Sequence, residues 1–201
     1  MGIKDSWLYD ETWYGIKLFL RQIMYKIYHF HPWHITPVNR REYALFLIRK
    51  LRKLDAKGVF VEVGCGLGDI VGNINNWHGK RYGFDISQEA IKSAKIIHPL
   101  VVFKQGSITD ISLGDIKLLV MVNWPQGIDG ESLREWICQL KMSNVVDIFV
   151  VDSFFKSSKS YPYCHDWGQI LGDDYKLKYR SWGFEAAEDN RRFIEFWERN
   201  T

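Results

Sequence analysis

Three glycines alternate with single residues in the stretch Val61-Glu62-Val63-Gly64-Cys65-Gly66-Leu67-Gly68-Asp69. Residues without side chains at the turn from a strand into a helix let backbone amides come close to a ligand, and the helix N-terminus favours negative charge. Such a loop suits a nucleotide-like cofactor. In the dinucleotide fingerprint the third glycine falls three residues after the second, where this chain carries Asp69, so a nicotinamide dinucleotide fits poorly. The Gly-Lys-Ser or Gly-Lys-Thr of a phosphate-binding P-loop is absent, which removes ATP held by that route.

The loop sits inside a β-α alternation. Strands are expected at Val59–Val63, Arg81–Asp85, Leu100–Lys104, Ile116–Val122 and Val145–Val151, each a short and nearly continuous apolar run. Helices are expected between them, at Asp69–Asn76, at Gln88–Ile97 before Pro99, and at Ser132–Met142 behind a Ser132 and Glu135 capping box. After a loop over Phe155–Tyr163 and a short helix at Asp166–Leu171, Lys176–Trp182 and Arg192–Trp197 read as an antiparallel edge pair. The fold class is α/β, a single Rossmann-like domain with a mostly parallel seven-stranded sheet.

In front of it, Ile16, Phe19, Leu20, Ile23, Ile27 and Phe30 form one stripe of an amphipathic helix, opposite Lys17, Arg21, Gln22, Lys26 and His29. Its ordinary use is to pack on the domain or cap the site, and the neighbouring Trp7, Trp13 and Tyr14 also suit a membrane surface. The loop with His29, His31 and His34 has no nearby Cys or carboxylate to complete a metal site, so no metal is expected. Asn39 and Glu42 resemble a capping box that opens a second helix, bearing Leu47 and Leu51. Residues 1–57 thus read as an N-terminal helical cap and residues 58–201 as the cofactor-binding domain.

Glu62, Gly64, Cys65, Gly66 and Gly68 closely resemble motif I of the class I S-adenosylmethionine-dependent methyltransferases, in which an acid two residues before the first glycine precedes G-x-G-x-G. The resemblance continues downstream. Asp85, ending the second strand in Gly83-Phe84-Asp85, stands where the family carries the acid that hydrogen-bonds the ribose hydroxyls, and Ile86 where a residue lies against adenine. Gln105-Gly106-Ser107-Ile108 falls where the family often has Gly-Asp reading the adenine amino group; Ser107 is a departure, with Ile108 against the ring and Asp110 as a substitute acid. Val122-Asn123-Trp124-Pro125 matches the region beside the methyl group and the acceptor. The resemblance implies S-adenosylmethionine as cofactor and methyl transfer as the reaction.

An acceptor oxygen of high pKa needs a general base, for which His34, His165 and Asp152 are the candidates, with Asn123 at the transfer point. Asn123-Trp124-Pro125-Gln126 is similar to the Asn-Pro-Pro-aromatic signature of enzymes that methylate planar amino groups. Trp124 and Gln126 break that pattern, so N-methylation of a nucleobase or a protein amide ranks below O-methylation of a small molecule or carbohydrate. The chain's pattern also resembles small stand-alone bacterial methyltransferases of surface-polysaccharide biosynthesis. A non-catalytic binding protein of the same fold, or a membrane-peripheral protein acting through residues 1–30, are the rivals from other classes.

Composition sets the remaining bounds. The 201 residues are 46% hydrophobic and 15% aromatic, with nine Trp, as in one folded domain with a sizeable core. The net charge of +3 divides into +6 over residues 1–57 and −3 beyond them, which favours an anionic partner or surface at the front. No extended basic and aromatic surface for nucleic acid can be read. Cys65, Cys138 and Cys164 form no paired pattern, so a reducing, cytoplasmic location is expected, with contact at the inner membrane surface as the use for the basic front. The front lacks the features of a secretory signal, and its apolar run is broken by Lys17, Arg21 and Lys26.

Overall fold

The central strands are buried almost without interruption, and because successive side chains point to opposite faces, one sheet carries a core on each side. The computed structural model describes residues 11–54 and 56–200. Its strands are β1 (Phe60–Val63), β2 (Arg81–Asp85), β3 (Val102–Gln105), β4 (Gly114–Met121), β5 (Asn144–Phe154), β6 (Tyr175–Arg180), β7 (Phe184–Ala186) and β8 (Asn190–Arg199). They line up as β3-β2-β1-β4-β5-β8-β6, with β7 pairing β8. β1 to β5 are parallel, and β8 runs antiparallel to β5, β6 and β7. The mostly parallel α/β sheet is therefore as expected, with one strand more than seven and with β8 between β5 and β6.

The helices are α1 (Glu11–Tyr28), α2 (Glu42–Arg52), α3 (Gln88–Ile97), α4 (Gly130–Ser143) and α5 (Trp167–Leu171). Phe60, Leu118, Val120 and Val150 meet α2 and α3 through Leu47, Ile48, Leu51, Ile91 and Ala94. Val61, Leu119, Met121 and Phe149 turn to the opposite face and meet α4 and α5 through Leu133, Ile137, Trp167 and Leu171. Successive strand residues point to opposite faces, so one apolar run supplies both layers. No helix among the described residues is long and apolar enough to cross a membrane.

Three local expectations need correction. The helix expected over Asp69–Asn76 is only a 3-10 turn, Val71–Asn73. Its carbonyls are taken by side chains instead of helical amides: Arg81 Nη1 donates to Val71 O and Ile74 O, and Arg52 Nε to Asn73 O. The fourth helix is capped by Asp129 and not by Ser132. The Asp129 carboxylate accepts both the Ser132 amide at 2.9 Å and its hydroxyl at 2.8 Å, and an ionised acceptor holds such donors more strongly than a hydroxyl does. α2 begins after Arg41 without a side-chain cap, and Asn39 lies in a preceding 3-10 turn, Val38–Arg40.

The largest departure is α1. Ile16, Phe19, Leu20, Ile23 and Ile27 are exposed, Phe19 and Ile27 at 61%, while Phe30 of the same stripe is buried. The helix faces the domain with its other side, where Arg21 is buried against Asp69. A buried carboxylate without a partner is expensive; meeting it sets the rotation of α1 and turns the apolar stripe outward. Tyr25 packs edge-on to Phe30, 5.7 Å between ring centres, and Phe30 joins Leu67 and Ala90 in a small satellite core. Trp7 lies outside the described residues, as does the rest of residues 1–10.

Candidate functional site

The chain leaves β1 toward β2 on one side of the sheet and enters β4 on the other, so a crevice opens between the carboxyl ends of β1 and β4. Open α/β sheets bind ligands at this point, because loops diverge there and backbone amides are left facing outward. A cavity of about 640 Å³ occupies it. Val63 and Gly64 line it from the end of β1, Asp85 and Ile86 from β2, Ser107 and Ile108 after β3, and Asn123 and Trp124 after β4.

The glycines are explained by what rests on them. A Cβ on Gly64 would stand 2.3 Å from the Trp124 ring, and one on Gly66 would stand 2.2 Å from His34. Trp124 is pinned there by its Nε1, which donates to Val63 O at 2.7 Å. Gly66 has a φ of +53° and donates its amide to Asp85 Oδ2 at 2.7 Å, while Ser87 N donates to Asp85 Oδ1 at 2.9 Å. Two backbone donors orient the Asp85 carboxylate and still leave lone pairs on both oxygens.

The remaining candidates of the loop stand behind the cavity wall. Glu62 is buried and accepts Val71 N at 2.8 Å; burial raises its carboxyl to about 8. Cys65 is buried in the core, its thiol pushed up by burial. Gly68 sits against Phe103, which a Cβ there would meet at 2.5 Å. Ser107 lines the cavity, but its amide donates to Asp110 Oδ2 at 2.7 Å in a small capping box. That bond turns the Asp110 carboxylate back onto the chain.

A 3-10 turn, Pro32–Ile35, carries His31, Trp33 and His34 over the glycine loop, where all three line the cavity. Arg21 holds it in place: Nη1 donates to His34 O at 2.9 Å and to Thr36 O at 3.3 Å, while the guanidinium pairs with Asp69. Arg41 pairs with the same carboxylate. Burial alone would raise Asp69, but Arg21 and Arg41 outweigh it and hold the carboxyl far below the usual range. Burial lowers His34, against the pull of Asp85 and Asp69, so its ring tends to the neutral form.

Across the cavity, Asn123 follows β4 with a φ of +72°, a conformation that costs little for Asn. Asp152 Oδ2 accepts its amide at 2.9 Å, and Arg192 Nη2 donates to its Oδ1 at 2.9 Å. The antiparallel register pairs Asp152 with Ile194 and Phe154 with Arg192, which makes Asp152 and Arg192 diagonal neighbours. Arg192 Nε stands 3.6 Å from Asp152 Oδ2. Its guanidinium carbon lies 4.0 Å over the Tyr43 ring and 4.9 Å over Phe154. Asp152 is raised by burial, with Arg192 opposing the shift.

Of the proposed bases, His34 lines the large cavity, and Asp152 lies behind Asn123. His165 lines a separate, smaller cavity, its Nε2 2.8 Å from Pro125 O. Sequence reading missed Trp136 and Tyr161, which complete the aromatic wall, and Arg192. Arg192 had a signal: it shares the inward alternation of β8 with Ile194 and Phe196, so a charge stood at a core-facing position.

No protein-family model matches the chain, and no curated protein matches it. Solved structures do. The N-methyltransferase NodS from Bradyrhizobium japonicum WM9, in complex with S-adenosyl-L-homocysteine, superposes with a TM-score of 0.67 at 16% identity, over 90% of this chain and 98% of that one. Magnesium protoporphyrin IX methyltransferase from Synechocystis PCC 6803, with bound SAM, gives 0.64 at 16% identity, over 80% of each chain. This chain has the class I methyltransferase fold. A methyltransferase from Clostridium acetobutylicum ATCC 824 agrees, with a TM-score of 0.58 at 12% identity over 79% of this chain and 91% of that one. Within that methyltransferase fold, the glycine loop, Asp85 and Asn123 all stand at the carboxyl ends of strands, around one cavity or directly behind its wall.

Proposed function

We propose that the protein is an S-adenosylmethionine-dependent methyltransferase acting on an oxygen of a small-molecule or glycan acceptor. The observation that carries this reading is the Asp85 carboxylate, oriented by Gly66 N and Ser87 N at the mouth of a cavity walled by Ile86, Ser107 and Ile108. The residues present fit the cofactor. Asp85 would hold the ribose and Ile86 and Ile108 would sandwich the adenine, while the amino-acid portion would lie beside Gly64, against the Trp124 ring that covers it. Bound there, the cofactor supplies an electrophilic methyl group on a sulfonium. Trp33, Trp124, Trp136 and Tyr161 would then enclose the acceptor, since ring faces suit the apolar side of a sugar or a planar molecule.

Residues 1–57 act as the cap of the domain at 58–201, with the Pro32–Ile35 turn placing Trp33 and His34 over the cavity and α1 holding that turn through Arg21. Calorimetry with S-adenosylhomocysteine tests the reading: micromolar binding that Asp85→Ala abolishes is expected, and no binding by the intact chain would reject it. Transfer of label from S-adenosylmethionine to oligosaccharides and small acids identifies the acceptor class.

The outward apolar stripe of α1 favours a second role beside the first, in which this helix rests on an anionic membrane surface with the polysaccharide machinery. Flotation with anionic vesicles, lost in Phe19→Glu with Ile23→Glu, is the expected result.

A further inference from the structure

The amide of Asn123 has one orientation available to it. Arginine carries donors only, so the group that meets Arg192 Nη2 at 2.9 Å must be the Asn123 carbonyl oxygen. The Asn123 backbone amide is already taken by Asp152. The side-chain nitrogen is then directed away from Arg192; it has no hydrogen-bond partner among the described residues and is not a buried atom, while Asn123 lines the cavity. A pair of N–H donors is therefore left open on a residue that lines the cavity. Gln126, the other amide of this wall, keeps its Oε1 buried away from the cavity, and Ser160 commits its hydroxyl to Glu188 Oε1 at 2.5 Å. Asp152 does not line the cavity; it is buried behind Asn123 with its Oδ2 engaged, and the Asp85 carboxylate of the lining is held by Gly66 N and Ser87 N.

We propose, resting on the methyltransferase reading above, that Arg192 is a positioning residue that locks Asn123 into donating, so that the site takes an acceptor whose reacting atom is an ionised oxygen of the carboxylate or phenolate class. An amine at this point would set its own N–H groups against those of Asn123. An anionic oxygen accepts them, and a charge-assisted bond in an aromatic enclosure is roughly twice as strong as a neutral one. The reaction balances without a base: an oxygen lone pair forms the new O–CH₃ bond while the C–S bond breaks toward sulfur, and the charges on oxygen and sulfonium cancel with no proton to remove. An acidic sugar, methylated at its carboxylate, satisfies both this requirement and the glycan reading.

Arg192 is held for the task by the Asp152 contact and by the Tyr43 and Phe154 rings. Its Nη1 is buried without a partner, so it is not placed there by a saturated network of its own.

The test compares 4-nitrophenolate with 4-nitroaniline, probes of one shape that differ at the reacting atom, and adds 4-nitrobenzoate for the carboxylate arm. Each is titrated into the intact chain saturated with S-adenosylhomocysteine, and the phenol is also read by the visible absorbance of its ionised form. Expected are binding of the phenolate or the benzoate about tenfold or more tighter than the aniline, and ionisation of the bound phenol at lower pH than in water. In Arg192→Met the preference falls toward unity and the shift in ionisation disappears, Arg192→Lys restores part of both, and Asn123→Asp reverses the preference. Equal or tighter binding of the aniline, an unchanged preference in Arg192→Met that still binds S-adenosylhomocysteine, or no binding of any probe overturns the proposal. Failure of the intact chain to bind S-adenosylhomocysteine overturns the methyltransferase reading itself, and is seen before any probe is added.

Discussion

Asp69 and Asp152 are both buried carboxylates beside the cavity, and both face arginine, yet their surroundings drive them in opposite directions. Asp69 meets two guanidiniums, Arg21 and Arg41, and is held far below the ordinary range. Asp152 meets Arg192 alone, with Oδ1 left without a partner, and burial raises it. One opposite charge does not offset the loss of water around a buried acid; two do. The first site clamps α1 and the Pro32–Ile35 turn onto the glycine loop. The second is less completely satisfied and is turned toward Asn123, on the cavity wall.

Removing each charge in turn separates the two carboxylates. Asp69→Asn leaves two buried guanidiniums unpaired and should cost about 3–5 kcal/mol in urea unfolding. Asp152→Asn should cost less than half of that, because the aromatic rings around Arg192 remain and an amide oxygen still accepts Asn123 N. Equal losses would mean that the two sites do not differ.

The pH dependence follows from signs. Asp69, lowered in the folded state, contributes stability that is present above about pH 4 and is lost as pH falls below it. Glu62 is an acid raised to about 8, so the native state keeps a proton that the unfolded chain has released. Stability therefore falls as pH rises from the ordinary glutamate value to about 8, by an amount on the order of 5 kcal/mol. Glu62→Gln, whose oxygen can still accept Val71 N, should flatten that alkaline slope and leave the acid limb in place; urea melts across the pH range read both.

A smaller effect separates the cap from the edge of the sheet. Arg21→Met should release the Pro32–Ile35 turn and speed proteolysis between residues 15 and 36 by about tenfold, whereas Arg192→Met should leave that rate unchanged. The smallest is Asp110→Asn, which weakens one capping box and should cost about 0.5–1 kcal/mol with little change in binding of S-adenosylhomocysteine. A large loss of that binding would move Asp110 from the backbone to the cofactor.

Local patterns were legible wherever neighbours in the chain supplied the physics. The apolar runs of β1, β4 and β5 and the helix over Gln88–Ile97 stand where their periodicity puts them, within a few residues. The glycine loop, Asp85, Ser107 and Asn123 come together because parallel strands bring their carboxyl ends to one edge, and each residue ends its strand or follows it within two positions. The helix expected after Asp69 was not legible as a 3-10 turn, since Arg52 and Arg81, outside the segment, take its carbonyls. The chosen caps at Asn39 and Ser132 fitted the spacing rule, and Asp129 displaced Ser132 with a stronger acceptor.

By itself, then, the sequence determined the alternating sheet, the glycine turn and the acids at its rim, because these depend on residue type and short spacing. Only the tertiary structure decided which face of α1 meets the domain, which arginines serve Asp69, and how Asn123 is aimed. Arg21 lies 48 residues from Asp69, and Arg192 lies 69 from Asn123. Across such distances no local pattern fixes a partner. The partner is set when burial makes an unpaired charge too costly to leave, and that cost exists only once the chain has folded.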